Sequence, residues 1–327
     1  EHNCAVQFDV TKCKNCTLCR RACADTQTVL DYYSLSSTGD MPICVHCGQC
    51  SSACPFGAIV EVNDVDKVKA ALKDPEKIVI FQTAPAVRVG LGEAFGMDPG
   101  TFVEGKMVAA LRTLGADYVF DTDFGADLTI MEEATELLHR LQSEEIPIPQ
   151  FTSCCPAWVE FAETFYPDLL QHLSSTKSPI SILSPVIKTY FAQQKNIDPK
   201  KIVNVCVTPC TAKKAEIRRP ELSAAGLFWD EPEIRDTDIC ITTRELAQWI
   251  QDENIDFANL EDGQFDKAFG EASGGGRIFG NSGGVMEAAI RTAYHMFTGR
   301  PAPKDFIPFE PVRGLQGVKK ATVIFGH

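Results

Sequence analysis

Two short cysteine-containing segments, far apart in the sequence, have the composition of metal-binding turns. The first reads Phe151-Thr-Ser-Cys-Cys-Pro-Ala-Trp158 and contains the adjacent cysteines Cys154 and Cys155. Because neighbouring side chains cannot readily point the same way, one of the two thiols can bind a metal while the other faces a different group. The second segment reads Val207-Thr-Pro-Cys-Thr-Ala-Lys-Lys214 and contains Cys210. Since each segment joins cysteine to proline in a turn, we predict that they form two walls of one metal site.

Eight cysteines near the N-terminus follow the spacing of iron–sulfur ligands. Each of two runs has the form Cys-x2-Cys-x2-Cys-x3-Cys, and a proline follows the second run. In this bacterial ferredoxin pattern the fourth cysteine of each run binds the other cluster. Paired zinc sites also use Cys-x2-Cys spacing, but zinc does not require four thiols per run. The pattern predicts two 4Fe–4S clusters that relay electrons, one bound by Cys13, Cys16, Cys19 and Cys54 and the other by Cys44, Cys47, Cys50 and Cys23.

The remaining residues of metal-binding type are interpreted as structural. Cys4 is a bystander thiol, and His46, inside the second run, is a packing or hydrogen-bonding residue. Cys206 and Cys240 lie in apolar runs and are assigned to the core, where free cysteine is common. The basic residues around the first run have two interpretations, a solvated face or a surface that steers an acidic ferredoxin; they are Lys12, Lys14, Arg20 and Arg21.

Composition limits the classes of partner and the compartment. The 327 residues allow roughly two domains, and the formal net charge of −13 argues against nucleic acid, because phosphate attracts positive charge. Membrane spans need about 18 consecutive apolar residues, and the sequence has no such stretch. Nine of the fourteen cysteines precede residue 55. Their ferredoxin-like spacing favours a reducing, anaerobic cytoplasm over a disulfide-rich secreted protein.

The order of predicted elements gives two units. Residues 1–74 form the cysteine-rich unit, which closes with a short charged helix over 63–74. Residues 75–327 form the second unit, in which apolar runs at 77–81, 117–120, 201–207 and 238–241 predict strands. Strands that alternate with helices indicate an α/β fold with a parallel sheet, whose site lies beyond the carboxyl ends of the strands.

Capping patterns predict where the helices of the second unit begin. A helix is expected over 101–114, and residues 123–127 are expected to form a loop. Thr129-x-x-Glu132 predicts a helix that continues to about residue 141, and Thr242-x-x-Glu245 predicts another. The glycine-rich stretch 270–287 matches neither phosphate-binding glycine pattern. It predicts backbone packed closely against a bulky ligand, followed by a helix to about residue 297 and, near the end, a turn and strand over 312–325.

The two cysteine segments resemble those of the FeFe hydrogenases. In that family a TSCCPxW segment and an xPCxxKxxE segment build the pocket of the hydrogen-activating H-cluster, and this chain matches both, including Glu216. The resemblance implies a catalytic domain with two lobes of mainly parallel sheet and flanking helices, preceded by an α+β ferredoxin-like domain. It implies ferredoxin hydrogenase activity, the reversible reduction of protons to hydrogen, with a ferredoxin-type electron partner.

The resemblance also implies a role for each pocket residue. Cys155 and Cys210 would be ligands of the 4Fe–4S half of the H-cluster, and Cys154 would pass protons to its di-iron half. Lys213 would bind a cyanide ligand, since charge-assisted hydrogen bonds are strong, and Phe279, Ala84 and Pro85 would line the cluster. The family's proton path would correspond to Glu133, Ser174, Glu136 and Arg140. The glutamates and arginine share one helix face, which without Cys154 would be read as an ordinary solvated face.

This chain departs from the family pattern at several positions. Thr208 stands where many members have methionine, Ala86 where serine is frequent and Ile180 where glutamine is frequent. Such changes tune a metal site through its surroundings and indicate a divergent subgroup. The family takes two more cluster cysteines, including the one that bridges to the di-iron unit, from a later CxxxC segment, and this sequence has no cysteine after Cys240. We therefore expect a missing C-terminal segment or a second chain to complete the H-cluster.

Two other functions remain alternatives to catalysis. One is a hydrogen or redox sensor that keeps the cluster, although the retained Cys154 favours turnover. The other is an iron–sulfur electron-transfer or assembly protein that lacks the di-iron site. Infrared bands of metal-bound carbonyl and cyanide would separate this last class from the other two.

Overall fold

The centre of the molecule is a four-stranded parallel sheet. The computed structural model describes residues 3–29, 43–143, 145–281 and 283–325. The sheet order is β4-β3-β5-β6, and the strands are β3 (Ile78–Thr83), β4 (Tyr118–Asp121), β5 (Ile202–Thr208) and β6 (Ile239–Thr242). The two central strands are almost wholly buried, as expected for parallel strands covered on both faces. All four predicted strands are therefore present, each shifted by one or two residues.

Helices and short helical turns cover both faces of the sheet. The α-helices of this part are α4 (Val87–Gly90), α5 (Glu104–Thr113), α6 (Thr122–Gln142), α7 (Pro156–Phe165), α8 (Pro179–Val186), α9 (Ala192–Lys195), α10 (Lys213–Glu216), α11 (Ala224–Trp229), α12 (Thr243–Asp252), α13 (Gly274–Ile278) and α14 (Gly284–Thr298). One apolar cluster packs around Phe81 and Met107, and a second packs around Phe120 and Phe191. These two clusters hold the sheet rigidly between the helices.

The N-terminal part contains a small antiparallel pair and short helices. Strand β1 (Val6–Phe8) pairs with β2 (Ile59–Glu61), and the helices are α1 (Leu18–Arg21), α2 (Gln49–Ser52) and α3 (Val65–Lys73). Single-turn 3-10 or π segments lie at Ala22–Thr26, Leu91–Phe95, Pro167–His172, Ile187–Phe191, Pro199–Lys201 and Phe257–Asn259. The division into units at residue 74 stays a prediction.

A buried ion cluster joins the start of α3 to the sheet. The Lys214 ammonium lies 2.8 Å from Asp64 Oδ2 and 2.9 Å from Glu245 Oε2, and it donates to the Cys240 carbonyl at 2.8 Å. The side chain of Lys214 is 1 % exposed. Because an unpaired buried charge is costly, these three residues hold the N-terminal part against β6 and α12.

Three predictions about elements are wrong. Residues 123–127 form the first turns of α6 instead of a loop, because Asp121 caps this helix by accepting from the Asp123 amide at 2.9 Å. Thr129 therefore begins no helix, and its hydroxyl donates to the Lys177 carbonyl. The strand expected over 312–325 shrinks to β8 (Lys319–Lys320), which pairs with β7 (Glu310–Pro311).

The second sheet lobe is not found among the described residues. Within 75–143, 145–281 and 283–325, the strands form the single parallel sheet and the short β7–β8 pair. The helix predicted to end near residue 297 is confirmed as α14. Helices as long and apolar as a membrane span are absent from the part of the chain that the structure describes.

Candidate metal centre

Loops that leave three neighbouring strands meet at the carboxyl edge of the sheet. Strand β3 runs into Ala84 and Pro85, and the Ala84 amide donates to the Val207 carbonyl at 2.9 Å. Strand β5 runs into Cys210, whose amide donates to the Thr208 hydroxyl at 3.4 Å. Because β3 and β5 are paired in register, the alanine-proline turn and the cysteine turn lie side by side. This is the edge at which the sequence placed the site.

A lysine connects the two cysteine segments directly. Lys213 Nζ donates to the Cys154 carbonyl at 2.9 Å, although the two residues lie far apart in the sequence. The Lys213 side chain is only 10 % exposed. An ammonium at this depth requires negative partners, and it lies between the thiols of one segment and the carboxylate of Glu216.

The thiols of both segments share one electrostatic environment. Burial raises the pKa of the Cys154 thiol to about 11, with Lys213 opposing the rise and Cys155 adding to it. Burial likewise raises the pKa of Cys210, again with Lys213 opposing and Cys155 adding. Cys155 therefore lies close enough to act on the pKa of both Cys154 and Cys210, and it is the exposed member of the group.

Two serines and Lys213 hold Glu216. Ser181 Oγ donates to Glu216 Oε1 at 2.7 Å, and Ser178 Oγ donates to the same oxygen over a shorter distance. The other oxygen, Oε2, lies 2.5 Å from Lys213 Nζ. Burial alone would lower the pKa of Lys213, but the charge of Glu216, its hydrogen bond and the charges of Cys154 and Cys210 together outweigh burial, and the pKa is raised. The lysine therefore stays charged.

The glycine-rich segment approaches the same edge. Gly280 lies beside the alanine-proline turn, since a Cβ on this residue would be 3.8 Å from Pro85 Cβ. Gly284 is required for packing, because a Cβ there would lie 1.8 Å from the Ile278 carbonyl oxygen. This close approach places Phe279 in the turn between α13 and α14, where it is half-buried. Phe279 and Pro85 thus lie on adjoining loops, as expected.

The residues expected to form the proton path make a continuous chain. Ser174 Oγ donates to Glu136 Oε2 at 2.7 Å, and Arg140 Nη2 donates to Glu136 Oε1 at 2.7 Å. Arg140 also donates to the carbonyls of Pro147, Gln171 and Leu173. Burial, and then the charge of Glu136, raise the pKa of Glu133 to about 7, while a hydrogen bond with Ser174 opposes the rise. The charge of Glu133 in turn raises the pKa of Cys154, so Glu133 lies within electrostatic range of the pocket.

The two N-terminal cysteine runs repeat the same backbone conformation. In the first run Asn15 and Thr17, on either side of Cys16, have φ of 53° and 63°. In the second run His46 and Gly48, on either side of Cys47, have φ of 58° and 73°. Helices α1 and α2 then begin one residue later in each run. The two runs therefore share one pattern of left-handed residues on either side of their second cysteine.

Electrostatic interactions link the cysteines of the second run to one cysteine of the first run. Burial raises the pKa of Cys50 to about 11, and the charges of Cys44, Cys47 and Cys23 add to the rise. This is the set of four that the sequence assigned to one cluster. The pKa of Cys54 is lowered by the backbone N–H groups of Ile59, Phe56, Ala58 and Gly57, an arrangement that stabilises a thiolate.

Single-ion sites are not formed by these groups. Among the residues that the structure describes, no three His, Cys, Asp or Glu side chains converge on one ion position. Ligands of a 4Fe–4S cluster bind different corners of the cluster and need no such convergence. The assignment of individual cysteines to the two clusters stays a prediction.

Several residues at the site were not identified from the sequence. Glu160 contacts His46, and Thr211 donates to the His46 carbonyl; both contacts join segments more than a hundred residues apart, so no local pattern could reveal them. Arg88, beyond β3, forms a buried ion cluster with Asp121, Asp123 and Glu104. Burial, then the charge of Asp121, raise the pKa of Asp123 to about 7. Asp123, which was expected to lie in a loop, is therefore a buried member of this ion cluster.

The pocket residues suit an anionic iron–sulfur group. Two half-buried or exposed thiols face a buried ammonium, and charge-assisted hydrogen bonds from such a group are strong. Glu133 Oε2 is buried and has no hydrogen-bond partner among the described residues, which suits an exchangeable proton. Gly276 and Gly284 of the glycine-rich segment lie so close to backbone that a Cβ on either would clash. Cys155 and Cys210 would hold the group, and Lys213 would bind its anionic ligand.

Comparison with known proteins gives matches over most of the chain. A family model described as "Iron only hydrogenase large subunit, C-terminal domain" matches residues 77–327, and one described as "4Fe-4S binding domain" matches residues 40–60. The NADP-reducing hydrogenase subunit HndD of Solidesulfovibrio fructosivorans is 48% identical over 97% of this chain and 56% of its own length. Iron hydrogenase 1 of Clostridium pasteurianum is 46% identical over 99% of this chain and 57% of its own length.

A solved structure and a more distant relative also match the chain. The apo form of the [FeFe]-hydrogenase HydA1 from Chlamydomonas reinhardtii, variant C377H, matches with a TM-score of 0.70 and 45% identity over 79% of this chain and 64% of that chain. Cytosolic iron-sulfur assembly component 3 of Bos taurus is 32% identical over 76% of this chain and 54% of its own length. The chain spans a little over half the length of the curated hydrogenases from S. fructosivorans and C. pasteurianum.

Proposed function

The chain belongs to the iron-only hydrogenase family, and on this premise we propose that it catalyses the reversible reduction of protons to hydrogen. The observation that carries the proposal is the hydrogen bond from Lys213 to the Cys154 carbonyl. It brings both cysteine segments of the family to one pocket, in which Lys213 acts on the pKa of both Cys154 and Cys210. The matched families support iron–sulfur binding by this chain. The presence of a complete H-cluster and of two 4Fe–4S clusters is part of the proposal.

In this function the protein residues hold the cofactor and move protons. When bound, the H-cluster supplies the metal at which hydrogen is formed or split. Cys155 and Cys210 anchor it through their thiolates, and the Lys213 ammonium, fixed by Glu216, neutralises its anionic ligand. Cys154 carries a proton between the cluster and Glu133. The raised pKa values of Cys154 and Glu133 keep both groups able to hold a proton near neutral pH.

Protons then reach the surface through the chain described above. Ser174 links Glu133 to Glu136, because its hydroxyl can both accept and donate. Arg140 fixes Glu136 by two hydrogen bonds, at 3.0 and 2.7 Å. General acid–base groups of this kind contribute about 10²–10⁴-fold to a rate.

Electrons enter through the N-terminal cysteine runs in this proposal. Cys16 is exposed, and Lys12, Lys14 and Arg21 lie in the same segment of the chain. A basic surface in a chain of net charge −13 favours encounter with an acidic ferredoxin. The cytoplasmic location stays a prediction, since a relative at 46% identity is named "Periplasmic [Fe] hydrogenase large subunit".

The test is hydrogen evolution by the holoenzyme and its Cys154→Ala variant, with a chemical reductant as electron source. We expect the variant to lose about 10²-fold or more in rate while its infrared bands of metal-bound carbonyl and cyanide persist. Glu132→Gln, on the exposed neighbour of Glu133, should leave the rate unchanged. Equal rates for Cys154→Ala and the parent protein would show that Cys154 does not carry the proton.

A second candidate is an iron–sulfur assembly function, favoured by the 32% identity to the Bos taurus assembly component. The same infrared measurement decides between the two functions. An assembly protein without the di-iron unit would show no carbonyl or cyanide bands in the parent protein, whereas the hydrogenase would show both. A sensor would show the bands but little turnover.

A further inference from the structure

His46, in the second cysteine run, contacts both cysteine loops of the pocket. Its imidazole Nδ1 lies 2.7 Å from Glu160 Oε2, and Glu160 belongs to α7, the helix that Cys155 caps. Its backbone carbonyl accepts from the Thr211 hydroxyl at 2.7 Å. The two contacts place one residue of the cysteine run between the two loops that would hold the catalytic cluster.

Both residues of the hydrogen bond between Thr211 and the His46 carbonyl adjoin a proposed cluster ligand. His46 directly precedes Cys47, and Thr211 directly follows Cys210. A path of covalent bonds therefore runs from the Cys47 thiol to the His46 carbonyl, and another runs from the Thr211 hydroxyl to the Cys210 thiol. A single hydrogen bond closes the gap between the two paths.

Packing at this contact leaves no space between the two loops. Gly48 has φ of 73°, and a Cβ on this residue would lie 2.6 Å from Thr211 Oγ1. Thr211 itself is 5 % exposed. The run thus approaches Thr211 as closely as backbone allows, and water is largely excluded from the contact.

The Thr211 hydroxyl has no other role in the described structure. It could have capped α10, which begins two residues later, but that helix has no side-chain cap. Thr208 and Ser178 use their hydroxyls within their own loops or toward Glu216. Thr211 instead directs its hydroxyl across the junction to the N-terminal run.

We propose that the hydrogen bond from Thr211 to the His46 carbonyl is the bridge by which electrons pass between the second 4Fe–4S cluster and the cluster of the pocket. In one step the cluster bound by Cys47 loses one electron and the cluster bound by Cys210 gains it, and no bond breaks. Glu160 is a positioning residue, because its hydrogen bond to the imidazole fixes His46 against α7. The inference rests on the proposed function, since it requires both clusters.

The physical reason is the decay of electronic coupling with distance. Coupling falls more slowly along covalent and hydrogen bonds than across an empty gap. Removing the hydroxyl while keeping the shape of the side chain should therefore weaken transfer without changing what either cluster binds.

The test compares Thr211→Val with Thr211→Ser in the holoenzyme. Valine keeps the volume and removes the donor, whereas serine keeps the donor. Electron transfer between the clusters is followed by rapid-freeze EPR after photoreduction, and the midpoint potentials are measured alongside. We expect a severalfold slower transfer in Thr211→Val, a rate close to the parent's in Thr211→Ser, and unchanged potentials in both.

Transfer at the parent rate in Thr211→Val would overturn the bridge, and so would equal slowing in both variants. Should Thr211→Val lose iron, Glu160→Gln and Glu160→Leu provide the second measurement. Glutamine can still hydrogen-bond His46 and should transfer at the parent rate, while leucine should slow transfer; identical rates would reject the inference. Because EPR reports the clusters and not hydrogen, a parent protein that transfers electrons but makes no hydrogen would reject only the proposed function.

Discussion

Glu133 is a buried carboxyl whose ionisation should appear in the stability of the protein. Burial raises its pKa from the usual 4.5 to about 7, so between these two values the folded state holds more protons than the unfolded state. Stability must then fall as pH rises through this window and stay level above it. The shift corresponds to a loss on the order of 3 kcal/mol. A buried carboxyl that lowers stability in this way is useful in a proton carrier, whereas a residue with only a structural role gains nothing from it.

Glu133→Gln should remove this part of the pH dependence. The variant gains stability relative to the parent protein between about pH 5 and pH 8, because glutamine carries no charge to bury. Chemical denaturation at the two pH values measures the difference. Glu132→Gln, on the exposed neighbour, is the control and should follow the parent. Parallel pH profiles for Glu133→Gln and the parent would show that Glu133 is not buried as described.

Helices α13 and α14 depend on one glycine at their junction. A Cβ at Gly284 would lie 1.8 Å from the Ile278 carbonyl oxygen, a contact with backbone that cannot move aside. Gly284→Ala should therefore destabilise the protein by about 1–3 kcal/mol and displace Phe279 from its place in the turn. Gly274→Ala, where a Cβ meets open space, should change stability by no more than about 1 kcal/mol. Thermal unfolding of the two variants checks this; equal melting temperatures would contradict the close packing.

Helix starts show what local sequence can predict and where it fails. The capping box Thr242–Glu245 is confirmed in both of its hydrogen bonds, because all of its partners lie within four residues. The apparent box at Thr129 is wrong, because Gly125 and the preceding aspartates look like a loop. A Cβ at Gly125 would lie 2.3 Å from the Pro179 carbonyl oxygen. The glycine serves the packing of α6 against α8, which only the folded structure reveals.

The same limit applies to the site. Cys154, Cys155, Cys210 and Lys213 could be singled out from the sequence, because their motifs are compact and chemically unusual; the roles assigned to them stay predictions. Glu160 and Thr211 could not be assigned, because their partner His46 lies in a different part of the chain. The expected second sheet lobe came from family resemblance alone and is not found among the described residues.

The molecule as a whole is held together by the buried cluster of Lys214, Asp64 and Glu245. Lys214→Met should cost about 3–5 kcal/mol, because it leaves two carboxylates buried without a cation. Lys67→Met is the matched control: Lys67 also contacts Asp64, but its side chain is 61% exposed, and it should cost about 1 kcal/mol or less. Guanidinium unfolding of both variants gives the comparison. If Lys214→Met proves no worse than Lys67→Met, the cluster does not join the two parts.

Lys213 and Lys214 are neighbours on one short turn, yet they point to opposite sides. One ammonium reaches the Cys154 carbonyl, and the other reaches the ion cluster beside β6. A fluctuation that opens this turn must break the contacts of both ammonium groups at once. The proposed cluster pocket and the attachment of the N-terminal part therefore depend on the same turn, so opening of this turn would disturb both of them together.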